Sequence, residues 1–354
     1  MPQLKLLLLP FAVVYKAITD FRNHLYNIGS KPSTQFDRLV ISVGNLTVGG
    51  TGKTPFVELL IRHLMPKYKL AVLSRGYGRK TSGFRLATAD DNAKTLGDEP
   101  FQYQTRFGKH VTVAVGEDRA MAIPEILFRK DDVELVILDD AYQHRRVRAD
   151  LNILLNDFQR PFYKDHVMPA GLLRESRKHA DRADVVVVTK CPAELDEPEM
   201  RQIQFEIQKY AGTETPVFFS CIRYLEPKSI YGANKMPKHV FLFSGIANHK
   251  PIEDYVKKQY QLLDHKKFPD HYSYSNGDLR QLARRFDQIE LADKCLLTTE
   301  KDMVRLLSMN EQFLRAYPVF YLPIELYFLK NEDSFTRLLA NKIVEKNGDI
   351  GSKL

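Results

Sequence analysis

The run with the clearest chemistry is Val43-Gly-Asn-Leu-Thr-Val-Gly-Gly-Thr-Gly-Lys-Thr54, glycine-rich and closing on an adjacent Lys-Thr. Gly49, Gly50 and Gly52, with Thr51 among them, let backbone N–H groups turn toward phosphate oxygens without Cβ obstruction. The helix expected over Phe56 to Leu64 adds the positive end of its dipole. Lys53 is then placed to bridge terminal phosphates and Thr54 to offer its hydroxyl to a Mg²⁺, while Pro55 suits a first helical turn. The spacing is that of a phosphate loop, except that Thr47 stands where the first glycine of G-x-x-x-x-G-K-[ST] usually falls. Such a loop needs an acid at the end of a second strand. Glu134-Leu-Val-Ile-Leu-Asp-Asp140 supplies two, Asp139 and Asp140, one to hold the metal and the other to orient a nucleophile.

The elements that must position these groups are legible as short apolar runs separated by polar helical stretches. Leu39 to Gly44, Leu70 to Leu73, Val111 to Val115, Leu135 to Leu138, Leu151 to Leu155 and Val185 to Val188 read as strands buried on both faces. Parallel sheets covered by helices produce such runs, so the pattern predicts an α/β fold with a doubly wound, mostly parallel sheet of the P-loop NTPase type. The polar stretch Tyr224 to Lys238 reads as a linker. Strands at Val240 to Ser244, Lys294 to Thr298 and Pro318 to Leu322, with a helical pattern over Gly277 to Leu291, predict a second, smaller α/β domain with a polar tail from Lys346. The expected division is 1–28, 29–224 and 225–354. A length of 354 residues favours two domains over one large core.

Before residue 29, Phe11, Val14, Tyr15, Ile18 and Leu25 recur at helical spacing, with Lys16, Asp20 and Asn23 opposite. This predicts an amphipathic helix, packed on its own domain or lying in a membrane interface. No small-x-small cleavage site follows it, which argues against a secretion signal. The longest apolar run, Leu6 to Tyr15, contains Pro10 and is too short to span a bilayer. Composition sets outer limits. With 44% hydrophobic and 27% charged residues, collagen-like and broadly disordered chains are excluded, and the net charge of +8 favours polyanionic partners. Cys191, Cys221 and Cys295 lack any metal or disulfide spacing and read as core residues of a reducing compartment.

Further segments occur in a telling order: Leu73-Ser-Arg-Gly-Tyr77, Gly97-Asp-Glu-Pro100, Gly116-Glu-Asp-Arg119, Leu138-Asp-Asp-Ala-Tyr-Gln-His144, Leu173-Arg-Glu175, Phe268-Pro-Asp-His-Tyr272 and Thr298-Thr-Glu-Lys-Asp302. With the phosphate loop they resemble the lipid A 4'-kinases, also called tetraacyldisaccharide 4'-kinases, over most of the chain. The resemblance implies transfer of the ATP γ-phosphate to the 4'-hydroxyl of a tetraacyldisaccharide 1-phosphate. It also implies a peripheral protein at the cytoplasmic face of the bacterial inner membrane, with Mg²⁺ as cofactor. It assigns Asp98 as base, oriented by His271 from the second domain, and it places Arg119, Glu99, Gln143 and His144 in the same cleft. Arg174 becomes a contact to the acylated disaccharide lipid and Glu175 a further metal ligand. The commoner family form Asp-Asp-Gly-Phe-Gln-His has Ala141 and Tyr142 here. A base and its orienting histidine on different domains imply a cleft that closes on substrate.

Two other readings fit parts of the chain. Thr189-Lys190-Cys191-Pro192 is similar to the guanine-reading [NT]-K-x-D of GTP switches, but Pro192 replaces the carboxylate that reads the base. A nucleic-acid-stimulated ATPase would use the basic surplus. Arg145, Arg146 and Arg148, however, cluster beside the Asp pair rather than along an aromatic-studded groove, so no nucleic-acid partner is expected.

Overall fold

The protein is described by a computed structural model covering residues 8–232, 235–270, 272–307, 309 and 311–351. His271 lies outside the described residues, as do residues 1–7 of the expected N-terminal segment.

Among the described residues the chain runs α1 (Leu9–Asn27), β1 (Leu39–Asn45), α2 (Lys53–Leu64), β2 (Leu70–Ser74), β3 (Arg85–Leu86), α3 (Ala93–Leu96), α4 (Asp98–Phe107), β4 (Val111–Val115), α5 (Arg119–Arg129), β5 (Leu135–Asp139) and β6 (Leu151–Asp157). It continues through β7 (Val185–Thr189), α6 (Glu197–Ala211), β8 (Val217–Tyr224), β9 (Lys228–Ser229), β10 (His239–Ser244), α7 (Lys250–Gln259), β11 (Gln261–Lys267) and α8 (Asn276–Asp287). The last elements are β12 (Lys294–Thr299), α9 (Glu300–Leu307), α10 (Glu311–Ala316), β13 (Val319–Leu322), β14 (Ile324–Phe328) and α11 (Glu332–Gly351). Each run expected above to be a strand is one.

The larger sheet has the order β14-β8-β7-β6-β1-β5-β2-β4-β3, parallel except for the edge strands β14 and β3. Alternate residues of β1 face opposite layers. Leu39, Ile41 and Val43 pack with α2, α4 and α11, whereas Val40 packs with Ala120, Ile123 and Ile126 of α5. Burial on both sides explains why these strands are apolar throughout. β1 lies between β5 and β6, at the point where successive connections leave in opposite directions, and a crevice at the carboxyl ends of the strands follows from that topology.

The smaller sheet, β11-β10-β12-β13-β9, carries α7 on one face and α8 with α9 on the other. The chain then returns. β14 pairs antiparallel with β8, and Phe335, Leu339 and Ile343 of α11 enter the core of the larger sheet. The expected unit 225–354 is therefore too long: its final segment belongs to the first domain, because β8 would otherwise expose an unpaired edge and Phe218 its apolar face. The polar tail expected from Lys346 is helical through Gly351. All three cysteines are buried and unpaired.

The helix α1 inverts the ordinary arrangement. Ala12, Tyr15 and Asn23 face the protein, while Phe11, Val14, Ile18 and Phe21 stand in solvent, Phe11 at 66% and Ile18 at 63% exposure. Tyr15, expected on the apolar stripe, instead donates its hydroxyl to the Arg174 carbonyl at 2.8 Å. None of the described helices is long and apolar enough to cross a membrane.

Candidate active site

The phosphate loop leaves β1 at Asn45 and turns into α2 at Lys53. Gly52 closes it at φ +77°, a left-handed conformation that a Cβ would strain. Thr47 needs no such freedom, because the chain there bridges antiparallel to Leu173, with the Val48 amide donating to the Leu172 carbonyl at 2.8 Å. This extended pairing is the physical reason the first glycine is dispensable. Asn45 ties the loop together: its Nδ2 donates to the Thr47 carbonyl at 2.6 Å, and its Oδ1 accepts from Lys53 Nζ at 3.2 Å. From the other side Thr189 donates to the Thr51 carbonyl at 2.8 Å. Lys190 is spent on the Gly50 carbonyl and Asp157, a bracing role that leaves its ammonium no part in reading a base. The buried Thr51 hydroxyl has no partner among the described residues.

Asp139 and Asp140 end β5 beside the loop, with Asp139 in register with Val43. Asp140, at φ +49°, turns its carboxylate between two cations: Lys53 Nζ at 3.6 Å and Arg174, whose Nη1 and Nη2 donate at 2.8 and 3.2 Å. Burial alone would raise Asp140, but Lys53 and Arg174 outweigh it and hold the carboxyl below its ordinary value. Asp139 behaves oppositely. It is buried at 6% exposure, and burial, reinforced by the charges of Asp140 and Glu99, pushes it up to about 6. Its Oδ2 accepts from Ser74 at 3.1 Å and from Tyr103 at 3.3 Å, while its Oδ1 has no partner among the described residues.

Arg119, also buried, begins α5; its Nη1 donates to the Glu117 carbonyl at 3.0 Å and its Nη2 reaches toward the Asp139 carbonyl at 3.5 Å. Its amide donates to His144 Nε2 at 3.1 Å. Burial, then the neighbouring Arg119, drives His144 down to about 4, so the ring is neutral at pH 7.

Gln143, Arg174 and Glu175 fasten α1 to this floor. Gln143 Nε2 donates to the Asn45 carbonyl at 2.9 Å and to Glu175 at 3.1 Å, and Arg22 donates to the Gln143 carbonyl at 2.8 Å. Glu175 accepts further bonds from Asn23 and Arg182. Its oxygens are thus taken up by neutral and cationic donors, and it reaches Asp140 only indirectly, through Gln143 and Arg174. No group of three His, Cys, Asp or Glu side chains poised for a metal occurs among the described residues.

Asp98 opens α4. Gly97 before it has φ +95°, and a Cβ there would meet the Tyr77 carbonyl at 2.8 Å, so the turn presenting Asp98 requires glycine. Tyr103 of the same helix carries α4 to the acid pair. The second domain supplies cations: Arg305 Nε lies 2.7 Å from Asp98 Oδ2, and Lys301 Nζ 3.2 Å from Glu99. Sequence reasoning missed Arg305, for which the only signal was its place just after Thr298-Thr-Glu-Lys-Asp302. It also missed a hydrogen-bond chain in which Ser244 Oγ meets His265 Nε2 at 2.9 Å and His265 Nδ1 meets Glu253 at 3.0 Å. Ser244 is closed to solvent, so that chain ties β10 to α7 rather than presenting a nucleophile.

A doubly wound sheet with a glycine-lined loop after its central strand, a lysine in that loop and a strand-terminal acid pair defines a P-loop phosphotransferase. The family described as Tetraacyldisaccharide-1-P 4'-kinase matches residues 4–344. The chain is 40% identical over 349 residues to the tetraacyldisaccharide 4'-kinase of Flavobacterium johnsoniae, covering 97% of this chain and 98% of that one. It is 38% identical to the Bacteroides fragilis protein of the same name, covering 97% and 95%. The LpxK of Aquifex aeolicus, solved in complex with ATP, superposes with a TM-score of 0.74 at 29% identity, covering 96% of this chain and 99% of that one. The chain belongs to the tetraacyldisaccharide-1-P 4'-kinase family.

Proposed function

We propose that this kinase transfers the γ-phosphate of ATP to the 4'-hydroxyl of a tetraacyldisaccharide 1-phosphate, a step of lipid A biosynthesis. The observation that carries the reading is the convergence of Lys53, Asp139 and Asp140 at the mouth of the loop, with the helix headed by Asp98 fastened to the same acid pair through Tyr103. Phosphoryl transfer is mostly positioning and charge neutralisation. In this reading the segment from Thr47 to Thr54 cradles the phosphates, and Lys53 exchanges Asp140 for phosphate oxygens. Arg119, held in place by backbone carbonyls, faces the equatorial oxygens. The unpartnered Oδ1 of Asp139, whose burial disfavours an isolated charge, suits a cation. Thr54, Asp139 and Asp140 would hold a Mg²⁺, which neutralises charge building on the phosphates. The saturation of Glu175 favours a role in anchoring α1 over the ligand role implied by the resemblance.

Asp98 accepts the proton of the attacking hydroxyl, with His271 as its orienting partner. Glu99, Gln143, His144 and Arg174 line the sugar side, and His144, being neutral, accepts or donates hydrogen bonds without adding charge. The exposed row Phe11, Val14, Ile18 and Phe21 supports peripheral attachment to the cytoplasmic face of the inner membrane, with the cleft turned toward the lipid. The test is to incubate the purified chain with γ-labelled ATP, Mg²⁺ and a membrane lipid extract. Label is expected in a glycolipid; label confined to inorganic phosphate, or release stimulated by nucleic acid, contradicts the reading.

A further inference from the structure

Among the described residues, ion pairs join α4 to α9 across the two domains: Asp98 with Arg305, Glu99 with Lys301 and Arg106 with Glu300. Arg305 is the most deeply buried of these cations. It is only 7% exposed, and its Nη1 donates at 3.0 Å to both the Gly245 carbonyl and Asp302 Oδ1. Asp302 is fully buried, and its Oδ2 accepts from the Gly245 amide at 2.9 Å and from Thr299 Oγ1 at 2.6 Å. A Cβ on Gly245 would stand 3.3 Å from both the Pro269 carbonyl and Tyr272 Cβ. The guanidinium is therefore braced by the second domain at the place where β10 and α9 meet the segment flanking residue 271, and its Nε is aimed at Asp98.

We propose that Arg305 is a positioning residue of the phosphoryl transfer: braced by Asp302 and Gly245, it fixes the plane of the Asp98 carboxylate at the head of α4. The proposal rests on the reading of Asp98 as the base. A planar guanidinium binding one carboxylate through Nε and another through Nη1 sets an angle as well as a charge, which an ammonium cannot do. It also couples the base to domain approach, since Asp98 is on one domain and Gly245 and Asp302, which brace Arg305, are on the other. Misplacement of a reacting group by about 1 Å costs on the order of 10²-fold in rate.

The test is a double-mutant cycle on the full chain, read as kcat and KM for ATP with melting temperature as a check of folding. Arg305→Ala should lower kcat about 10- to 100-fold and leave KM for ATP within about threefold. In an Asp98→Asn background the same change should cost less than about threefold, because the group it positions is already disabled. Arg305→Lys should regain stability while recovering little of kcat, and it replaces Arg305→Ala in the cycle if the alanine variant does not fold. Glu300→Gln, which breaks the pair at the far end of the same helices, should leave kcat within about twofold. Additive losses, an unchanged kcat in Arg305→Ala, or an equal loss in Glu300→Gln would overturn the proposal while Asp98 stands as base. A near-normal kcat in Asp98→Asn overturns both.

Discussion

Asp139 and Asp140 are consecutive residues whose carboxyl groups are driven in opposite directions, Asp139 up to about 6 by burial and Asp140 downward by Lys53 and Arg174. The difference arises because Asp140 takes a left-handed backbone and swings out between the two cations, whereas Asp139 stays in line with β5 beneath Ser74 and Tyr103. One carboxylate is thus compensated by neighbouring cations, whereas burial disfavours ionisation of the other.

The two should respond differently to amide substitution. Asp139→Asn is expected to raise the Mg²⁺ concentration for half-maximal rate by about tenfold or more, with metal-free nucleotide binding unchanged. Asp140→Asn frees Lys53 from its competing anion, so metal-free ATP should bind more tightly even as kcat falls on the order of 10²-fold. Mg²⁺ titrations of initial rate, paired with fluorescent-nucleotide displacement, read both effects. Equal behaviour of the two variants would contradict the division of roles.

The apolar row of α1 gives a second prediction. Phe11 and Ile18 are exposed, so Phe11→Ser with Ile18→Ser should leave the melting temperature unchanged. Vesicle binding should weaken by about 2 kcal/mol, a roughly thirtyfold loss in partitioning. With acceptor dispersed in detergent, kcat should be unaltered. Undiminished sedimentation with anionic vesicles would remove α1 from the membrane contact.

Much of this was legible in the sequence. Local structure carried by contiguous residues was legible: the loop from Val43 to Thr54 and the Asp pair each stand at the end of a strand, as expected. Groups defined by distant partners were not. Arg305 reaches Asp98 across 207 positions, and no local pattern marks an arginine in α9 as belonging to α4. The return of β14 and α11 to the first sheet was hidden because a lone edge strand and a final helix look alike in either domain. The N-terminal helix was expected, but which of its residues face the protein depended on Tyr15 and Asn23 finding acceptors at Arg174 and Glu175.

A buried cluster unread in the sequence sets a pH dependence. Glu58 of α2 accepts from Gln102 at 2.9 Å and from Arg106, which also reaches Glu300 at 3.2 Å. Burial, with the charge of Glu300 adding to it against the pull of Arg106, pushes Glu58 from an ordinary 4.5 up to about 7. The folded chain therefore keeps this proton to higher pH than the unfolded chain, and the stability it contributes, present at low pH, is lost as pH rises from about 4.5 through about 7. Melting temperature should decline over that window, and Glu58→Gln should flatten the decline. An unchanged slope in the variant would show that Glu58 ionises normally.

The most direct measurement compares two acceptors with γ-labelled ATP and Mg²⁺: a tetraacyldisaccharide 1-phosphate and its 4'-deoxy analogue. Label should appear in the first as a 4'-phosphate monoester and not in the second, with Asp98→Asn reducing the first by about 10²- to 10⁴-fold. Label in both acceptors, or release of inorganic phosphate alone, would contradict transfer to the 4'-hydroxyl.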